Sequence, residues 1–410
     1  MRVRALLLAL VLPAALGSAS TAAAHSGAQD AALARGISKA LSSRGLGGAG
    51  TGVAIADLAT GELIYRRNGS RPFVPASTEK LFTTVGALST LRSDFRFATT
   101  VAGFGTQAGA TWQGDLYLVG AGDPTLSTYD LESLAAQVRR HGISRISGRI
   151  RGDETVFDSS RWGPWPLKYL GVESPPLSGL ALDRDVTASG HDVDNPARSA
   201  ARAFRKALHR AGVRVGVRFV GGGAAPKSAI ALGRVESEPL WRIVRYMDRH
   251  SDNFTAEMVA KAIGHYAGGD GSTARGMYVA GEAAKPLLGE DAALVHLADG
   301  SGLSHANRTT ASALARLLVG AAVDPAIAKP FAGALSVAGQ NGTLAHRLRG
   351  LRGRVLGKSG TLDNVSALAG YVTAASGRRF AFAVLINVPG LSEWNAHGAQ
   401  DAIVKLIAKR

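Results

Sequence analysis

Pro75-Ala76-Ser77-Thr78-Glu79-Lys80-Leu81 reads as the start of a helix, and the interpretation of the whole chain turns on it. Proline suits a first helical position, because the N–H it lacks is one the helix leaves unpaired anyway. The residues that follow put Leu81, Val85 and Leu88 on one face, so this helix is expected to be buried. Ser77 and Lys80 are three residues apart, on one side of a single turn, where the lysine amine can reach the hydroxyl. Unpaired backbone N–H groups and the helix dipole favour negative charge developing at that end. A serine attacks only once a base takes its proton. Lysine can be that base only if burial or a neighbouring cation lowers its pKa.

Two other segments carry matching chemistry. Ser251-Asp252-Asn253 falls at the break between helical patterns over Pro239–Asp248 and Thr255–Tyr266. In a non-helical loop, alternate residues point the same way, so Ser251 and Asn253 are expected to face a cleft while Asp252 turns to the protein. There Ser251 would relay a proton, and Asn253 would bond both Lys80 and a substrate amide. The plainer reading is a helix cap, since Ser, Asp and Asn are favoured N-cap types. Lys358-Ser359-Gly360-Thr361 lies on a strand over Arg354–Thr361, where Gly360 leaves room for a substrate backbone along the strand edge. Lys358 would depress the pKa of Lys80, and the Ser359 and Thr361 hydroxyls would hold a terminal carboxylate. A phosphate loop competes for these residues, but its first glycine would fall at Arg352, and strand rather than helix follows.

Outward from these motifs, Gly52–Leu58 and Glu62–Arg66 read as strands joined by the turn Ala59-Thr60-Gly61. Arg354–Thr361, Val365–Thr373 and Phe380–Val388 read as three more. Helices are expected over Ala31–Ser43, with Leu33, Ile37 and Leu41 in register, and from Asn395 to Ala408. Strands in both terminal thirds imply one antiparallel sheet assembled from distant segments. Residues 97–236 differ in character: short β-rich pieces such as Gly114–Val119 and Arg214–Val220, many glycines, and one good helix at Ala197–Ala211. They read as an inserted domain, of one or two subdomains, within a catalytic domain formed by residues 25–96 and 237–410.

Composition narrows the function classes. With 410 residues the chain exceeds the ~250–300 at which a single core stops growing. Arg2 and Arg4, an apolar stretch from Ala5 to Leu16, and Ala22-Ala23-Ala24 read as an export signal over residues 1–24. No later run reaches the ~18 apolar residues of a membrane span, so a secreted protein is expected. The absence of cysteine excludes disulfides, thiolate metal sites and a cysteine nucleophile. A formal charge of +16 suits nucleic acid or an anionic cell wall equally. The basic residues are scattered and aromatics are few, so a solvated basic surface is the reading, with no nucleic-acid partner. The histidines show no metal-binding spacing, and no Gly-x-Ser-x-Gly elbow occurs. No cofactor or metal is expected.

Ser-x-x-Lys, Ser-x-Asn and Lys-Ser/Thr-Gly, in that order, form the signature set of penicillin-binding proteins and β-lactamases. The chain resembles the low-molecular-mass class C penicillin-binding proteins, the D-Ala-D-Ala carboxypeptidase/endopeptidase group. Gly122-Asp123-Pro124-Thr125-Leu126, Asp299-Gly300-Ser301-Gly302-Leu303-Ser304 with Asn307-Arg308, Gly342-Thr343-Leu344 and Ala367-Leu368-Ala369-Gly370-Tyr371 look like that family's stretches. The resemblance implies an α+β transpeptidase-like domain, a five-stranded antiparallel sheet flanked by helices, with the β-rich insertion between the first and second motifs. It also implies an acyl-enzyme on Ser77, with Lys80, Ser251, Asn253 and Lys358 catalytic and Ser359, Gly360 and Thr361 binding substrate. Peptidoglycan peptides would be substrates at the cell wall, and β-lactams inhibitors. The Asp299–Ser304 run reads as a tight loop buttressing the cleft. Two departures stand out: Ser359 where threonine is usual, and Leu167-Lys168 where relatives tend to place an aspartate that grips a diaminopimelate amino group. A β-lactamase or esterase on the same scaffold, and an idle wall-binding protein, are the alternatives.

Overall fold

The computed structural model describes residues 17–187 and 189–410. Residues 1–16 of the stretch read as an export signal lie outside these. Helix α1 (Gly17–Ser42) starts earlier than the periodicity implies. Alanine has the highest helix propensity, which carries the helix back through Ala22-Ala23-Ala24. Hairpin strands β1 (Thr51–Asp57) and β2 (Leu63–Arg67) follow, then α2 (Lys80–Thr90), entered through a 3₁₀ turn at Ala76–Glu79.

The chain then builds a second sheet. It comprises β3 (Ala98–Ala108), β4 (Thr111–Val119), α3 (Thr128–Arg140), β5 (Arg145–Ile146), β6 (Ile150–Asp153), α4 (Pro196–Arg210), β7 (Arg214–Val215), β8 (Gly221–Gly222) and β9 (Ile230–Glu236). β3 pairs antiparallel with β4 and β9, while β5 and β6 join β4 in parallel. Parallel pairs need crossover connections, and α3 and α4 supply them. Both pack their apolar stripes on the sheet, Leu131, Leu134 and Val138 from α3, and Ala200, Phe204 and Leu208 from α4. This part is therefore more helical than its glycine-rich sequence implies. α3 was not anticipated from the sequence; the signal that marks its start is Ser127, whose N–H donates to the Asp130 carboxylate (2.8 Å) three residues on.

Helices α5 (Leu240–His250), α6 (Asn253–Gly268), α7 (Thr273–Leu288), α8 (Ala311–Val323) and α9 (Ala328–Ala334) come next. They lead to β10 (Ser336–Val337), β11 (Val355–Leu362), β12 (Val365–Thr373), β13 (Arg379–Asn387) and α10 (Glu393–Ala408). The first sheet runs β10-β11-β12-β13-β1-β2, antiparallel throughout, so that β1 pairs with β13 across most of the chain length. Five long strands are joined by the two-residue β10, giving six where five were expected. Alternation along β12 and β13 divides the core. Leu368, Val372, Phe380 and Phe382 face α1 and α10, packing with Ile37, Leu41, Ile403 and Ile407. Ala367, Ala369, Ala381 and Ala383 face the other side, where α2, α6 and α8 pack. Because β10 covers only Gly357 and Leu356, the β11 edge from Lys358 onward is not covered by it.

Candidate active site

The three motifs meet where the N-terminus of α2, the α5–α6 break and the free edge of β11 converge. Lys80 is fully buried, and its Nζ lies 3.0 Å from Ser77 Oγ, 2.8 Å from Asn253 Oδ1 and 2.6 Å from the carbonyl oxygen of Ser301. Two of these partners, the Asn253 amide oxygen and the Ser301 carbonyl, can only accept. A neutral amine would give them its two N–H bonds and turn its lone pair on the Ser77 hydroxyl. Burial is the leading cause that lowers the Lys80 pKa to about 8, against the pull of Asp299, Asp248, Glu257 and Asp252. Lys358 was expected to depress Lys80 by its charge; instead burial is what lowers Lys80, and the neighbouring charges that act on it most are carboxylates pulling the other way. Lys358 is itself fully buried, and its own pKa is lowered by burial first and by Lys80 second.

Lys358 Nζ donates to Ser251 Oγ (2.9 Å) and to its neighbour's carbonyl at Ser359 (2.7 Å). Ser77, Lys80, Ser251, Asn253 and Lys358 therefore form one continuous cluster drawn from three distant segments. The Ser251-Asp252-Asn253 segment serves as both cap and site. Asp252 Oδ1 accepts from Thr255 N (2.8 Å) and caps α6, while Ser251 takes a left-handed conformation (φ 54°) that ends α5. Gly360 lies against the nucleophile's backbone. A Cβ there would stand 2.7 Å from Ser77 N and 3.0 Å from Thr78 N, closer than side-chain atoms approach. Ser359 Oγ, half-buried, donates to Thr343 Oγ1 (2.7 Å), and Thr361 is exposed.

A layer of buried acids lies behind the lysines. Glu79, Asp248, Glu257 and Asp299 are all fully buried, and burial pushes each carboxyl upward toward its neutral form. Asp299 takes N–H donors from Gly302 (2.8 Å) and Ser304 (2.6 Å) and the Asn307 amide (2.6 Å), which folds the Asp299–Ser304 run into a tight loop. Glu257 accepts from Ser301 N (2.8 Å). These bonds aim the Ser301 carbonyl at Lys80. Sequence reasoning read this loop as a buttress and missed that carbonyl, because a backbone oxygen has no residue signature. It named Thr343 only within the family-like stretch Gly342-Thr343-Leu344, without its bond to Ser359, and it missed Glu173. The Glu173 backbone carbonyl accepts from Asn253 Nδ2 (3.0 Å). Lys168, in the segment where relatives tend to carry an aspartate, pairs with Asp363 just beyond β11. Among the described residues there is no cluster of metal-ligating side chains, and no helix is long and apolar enough to cross a membrane.

Comparison with known proteins gives concordant matches. The family model described as D-Ala-D-Ala carboxypeptidase 3 (S13) matches residues 33–188 and 178–410. The D-alanyl-D-alanine carboxypeptidase of Actinomadura sp. (strain R39) is 34% identical over 100% of this chain and 90% of its own length. Among solved structures, penicillin binding protein 4 from Haemophilus influenzae superposes with a TM-score of 0.78 at 22% identity, covering 88% of this chain and 96% of its own. The same protein complexed with a β-lactam superposes with a TM-score of 0.70 at 22% identity, covering 87% of this chain and 94% of its own. The structural likeness concerns the fold alone.

Proposed function

Because this chain belongs to the D-Ala-D-Ala carboxypeptidase 3 (S13) family, we propose that its serine DD-peptidase chemistry runs through an acyl-enzyme on Ser77, with Lys80 as the base. The observation that carries the reading is the buried Lys80 amine, held by two acceptor-only partners and placed 3.0 Å from Ser77 Oγ.

Neutral Lys80 takes the Ser77 proton, and the alkoxide attacks the carbonyl carbon between the two D-alanines. The backbone N–H groups of Ser77 and Thr361 hold the resulting oxyanion. The close approach of Gly360 to Ser77 N supports that role. Ser251, bonded to Lys358, passes its proton to the departing amine and is reprotonated at the expense of the Lys80 ammonium formed in the first step. Neutral Lys80 then takes a proton from the water that attacks the acyl carbon and gives it to Ser77 Oγ as the acyl group leaves. Asn253 orients the substrate amide. Lys358 and the Ser359 and Thr361 hydroxyls receive the terminal carboxylate. A β-lactam, whose strained amide mimics the D-Ala-D-Ala bond, acylates the same serine.

The substrates are peptidoglycan stem peptides and their crosslinks, and the protein works outside the cytoplasm against the cell wall. The net charge of +16 and the export-signal pattern of residues 1–24 support that location. Residues 97–236 act as an inserted domain whose edge forms one wall of the cleft, with Glu173 bonded to Asn253. Digestion of defined crosslinked and uncrosslinked muropeptides tests the activity. Release of D-alanine or cleaved crosslinks is expected from the wild type and not from Ser77→Ala. A folded wild type that releases neither overturns the reading.

A further inference from the structure

One contact ties the insertion to the catalytic segments. The turn Asp183-Arg184-Asp185 puts three consecutive side-chain-bearing residues in the left-handed region, at φ of 48°, 64° and 55°. Such backbone is unfavourable for L-residues, persists only where surrounding bonds impose it, and concentrates at functional sites. Here the bonds are explicit. Asp183 accepts from Thr128 Oγ1 (2.6 Å), its N–H donates to Leu126 O (2.9 Å), and Asp185 accepts from Leu182 N (3.2 Å). The turn aims Arg184 out of the insertion and onto the start of α6.

At that point Arg184 makes a two-point pair with Asp252, Nη1 to Oδ1 at 3.2 Å and Nη2 to Oδ2 at 2.8 Å. Its guanidinium also lies over the Phe254 ring, 4.8 Å from the centroid. It thus holds the residues on either side of Asn253, the side chain that bonds Lys80. Burial pushes the Asp252 carboxyl up, but the bond and charge of Arg184, together with the bonds from Thr255, bring it below its ordinary value and keep the group ionised. We propose that Arg184 is a positioning residue for the reaction at Ser77, fixing Asn253 against Lys80 by gripping Asp252 and Phe254 from the inserted domain. This rests on the acyl-enzyme reading above. It gives the insertion a part in catalysis: the α5–α6 break is set from outside the catalytic segments. Arginine is the residue for this task, since its planar fork makes both bonds and stacks at once, which lysine cannot do.

The test measures the rate of Ser77 acylation by a fluorescent penicillin, together with thermal unfolding, for Arg184→Ala, Arg184→Lys, Asp252→Asn and the Arg184→Ala/Asp252→Asn pair. Arg161→Ala serves as control, because it breaks a two-point pair with Glu154 inside the insertion (2.6 Å each) without touching the site. Misplacement of a reacting group by about 1 Å costs on the order of 10²-fold, so Arg184→Ala is expected to acylate roughly 10–100-fold more slowly. The double variant should be no slower than the slower single one, and Arg161→Ala should acylate at the wild-type rate. Multiplying losses in the double variant, or equal slowing in the Arg161→Ala control, would mean a general structural effect and overturn the proposal. If Arg184→Ala does not fold, Arg184→Lys decides: a folded lysine variant at the wild-type rate also overturns it. A wild type that forms no adduct on Ser77 defeats the underlying reaction instead, so the two failures are distinguishable.

Discussion

Replacing Gly360 by alanine tests the geometry of the cleft with a single carbon atom. The added Cβ would stand 2.7 Å from Ser77 N, 3.0 Å from Thr78 N and 3.1 Å from the Ala76 Cβ. Two of these neighbours are backbone atoms of a buried helix start and cannot swing aside. Ordinary contact begins at about 3.4 Å, so β11 and the Ser77 turn must separate by several tenths of an ångström or more. That widens the gap between the Ser77 and Thr361 N–H groups and moves Ser77 relative to Lys358. Overpacking of this kind costs about 1–3 kcal/mol of stability. The larger effect falls on reactivity, where losing one oxyanion donor costs ~10²–10³-fold. The variant is therefore expected to fold, unfold at a modestly lower temperature, and acylate with labelled penicillin roughly 10²-fold more slowly than the wild type. Stopped-time acylation at several penicillin concentrations, with thermal unfolding in parallel, reads both quantities. A folded Gly360→Ala protein that acylates at the wild-type rate would refute the claim that β11 and the Ser77 turn jointly form the oxyanion site.

Acylation should depend on pH through Lys80. Its pKa in the folded protein is lowered to about 8, so the neutral base is scarce below that and dominant above. The rate should rise about tenfold per unit as pH goes from 6 to 7 and level off beyond 8; a rate flat from pH 6 to 8 contradicts the assignment of the base. Lys261 of α6, 1% exposed, pairs with Asp158, which follows β6 and is 33% exposed. Asp158→Ala strands a buried ammonium and should cost about 3–5 kcal/mol, whereas Lys261→Met leaves only a partly solvated carboxylate and should cost clearly less. Denaturant titration of both variants checks the order, and equal losses would contradict the unequal burial of the two partners.

The motifs were legible because each is local. Ser77 and Lys80 are joined by helical spacing, Ser251 and Asn253 by loop alternation, and Lys358 and Gly360 by strand alternation. What brings the three together is not local. β1 and β13 pair across most of the chain, and no short window of sequence encodes that register. The strands were nonetheless placed within one or two residues, since turn residues such as Ala59-Thr60-Gly61 bound them sharply. Residues 97–236 were read less well. Their sheet is held by two-residue strands at Arg145–Ile146, Arg214–Val215 and Gly221–Gly222, too short to show alternation, and α3 was passed over among the glycines. The Ser301 carbonyl and the Arg184 clamp were invisible for different reasons. One is backbone, and the other is one arginine among many until the left-handed turn aims it at Asp252. The expected source of the Lys80 shift also changed: a neighbouring cation can be guessed from sequence, whereas the depth of burial that dominates depends on the assembled core.

The most direct measurement is mass spectrometry of the protein after incubation with penicillin, followed by proteolysis and mapping of the adduct. The peptide bearing Ser77 should carry one penicilloyl group in the wild type, and Ser77→Ala should carry none. A folded wild type left unmodified, or modified at a serine other than Ser77, would contradict the account at its centre.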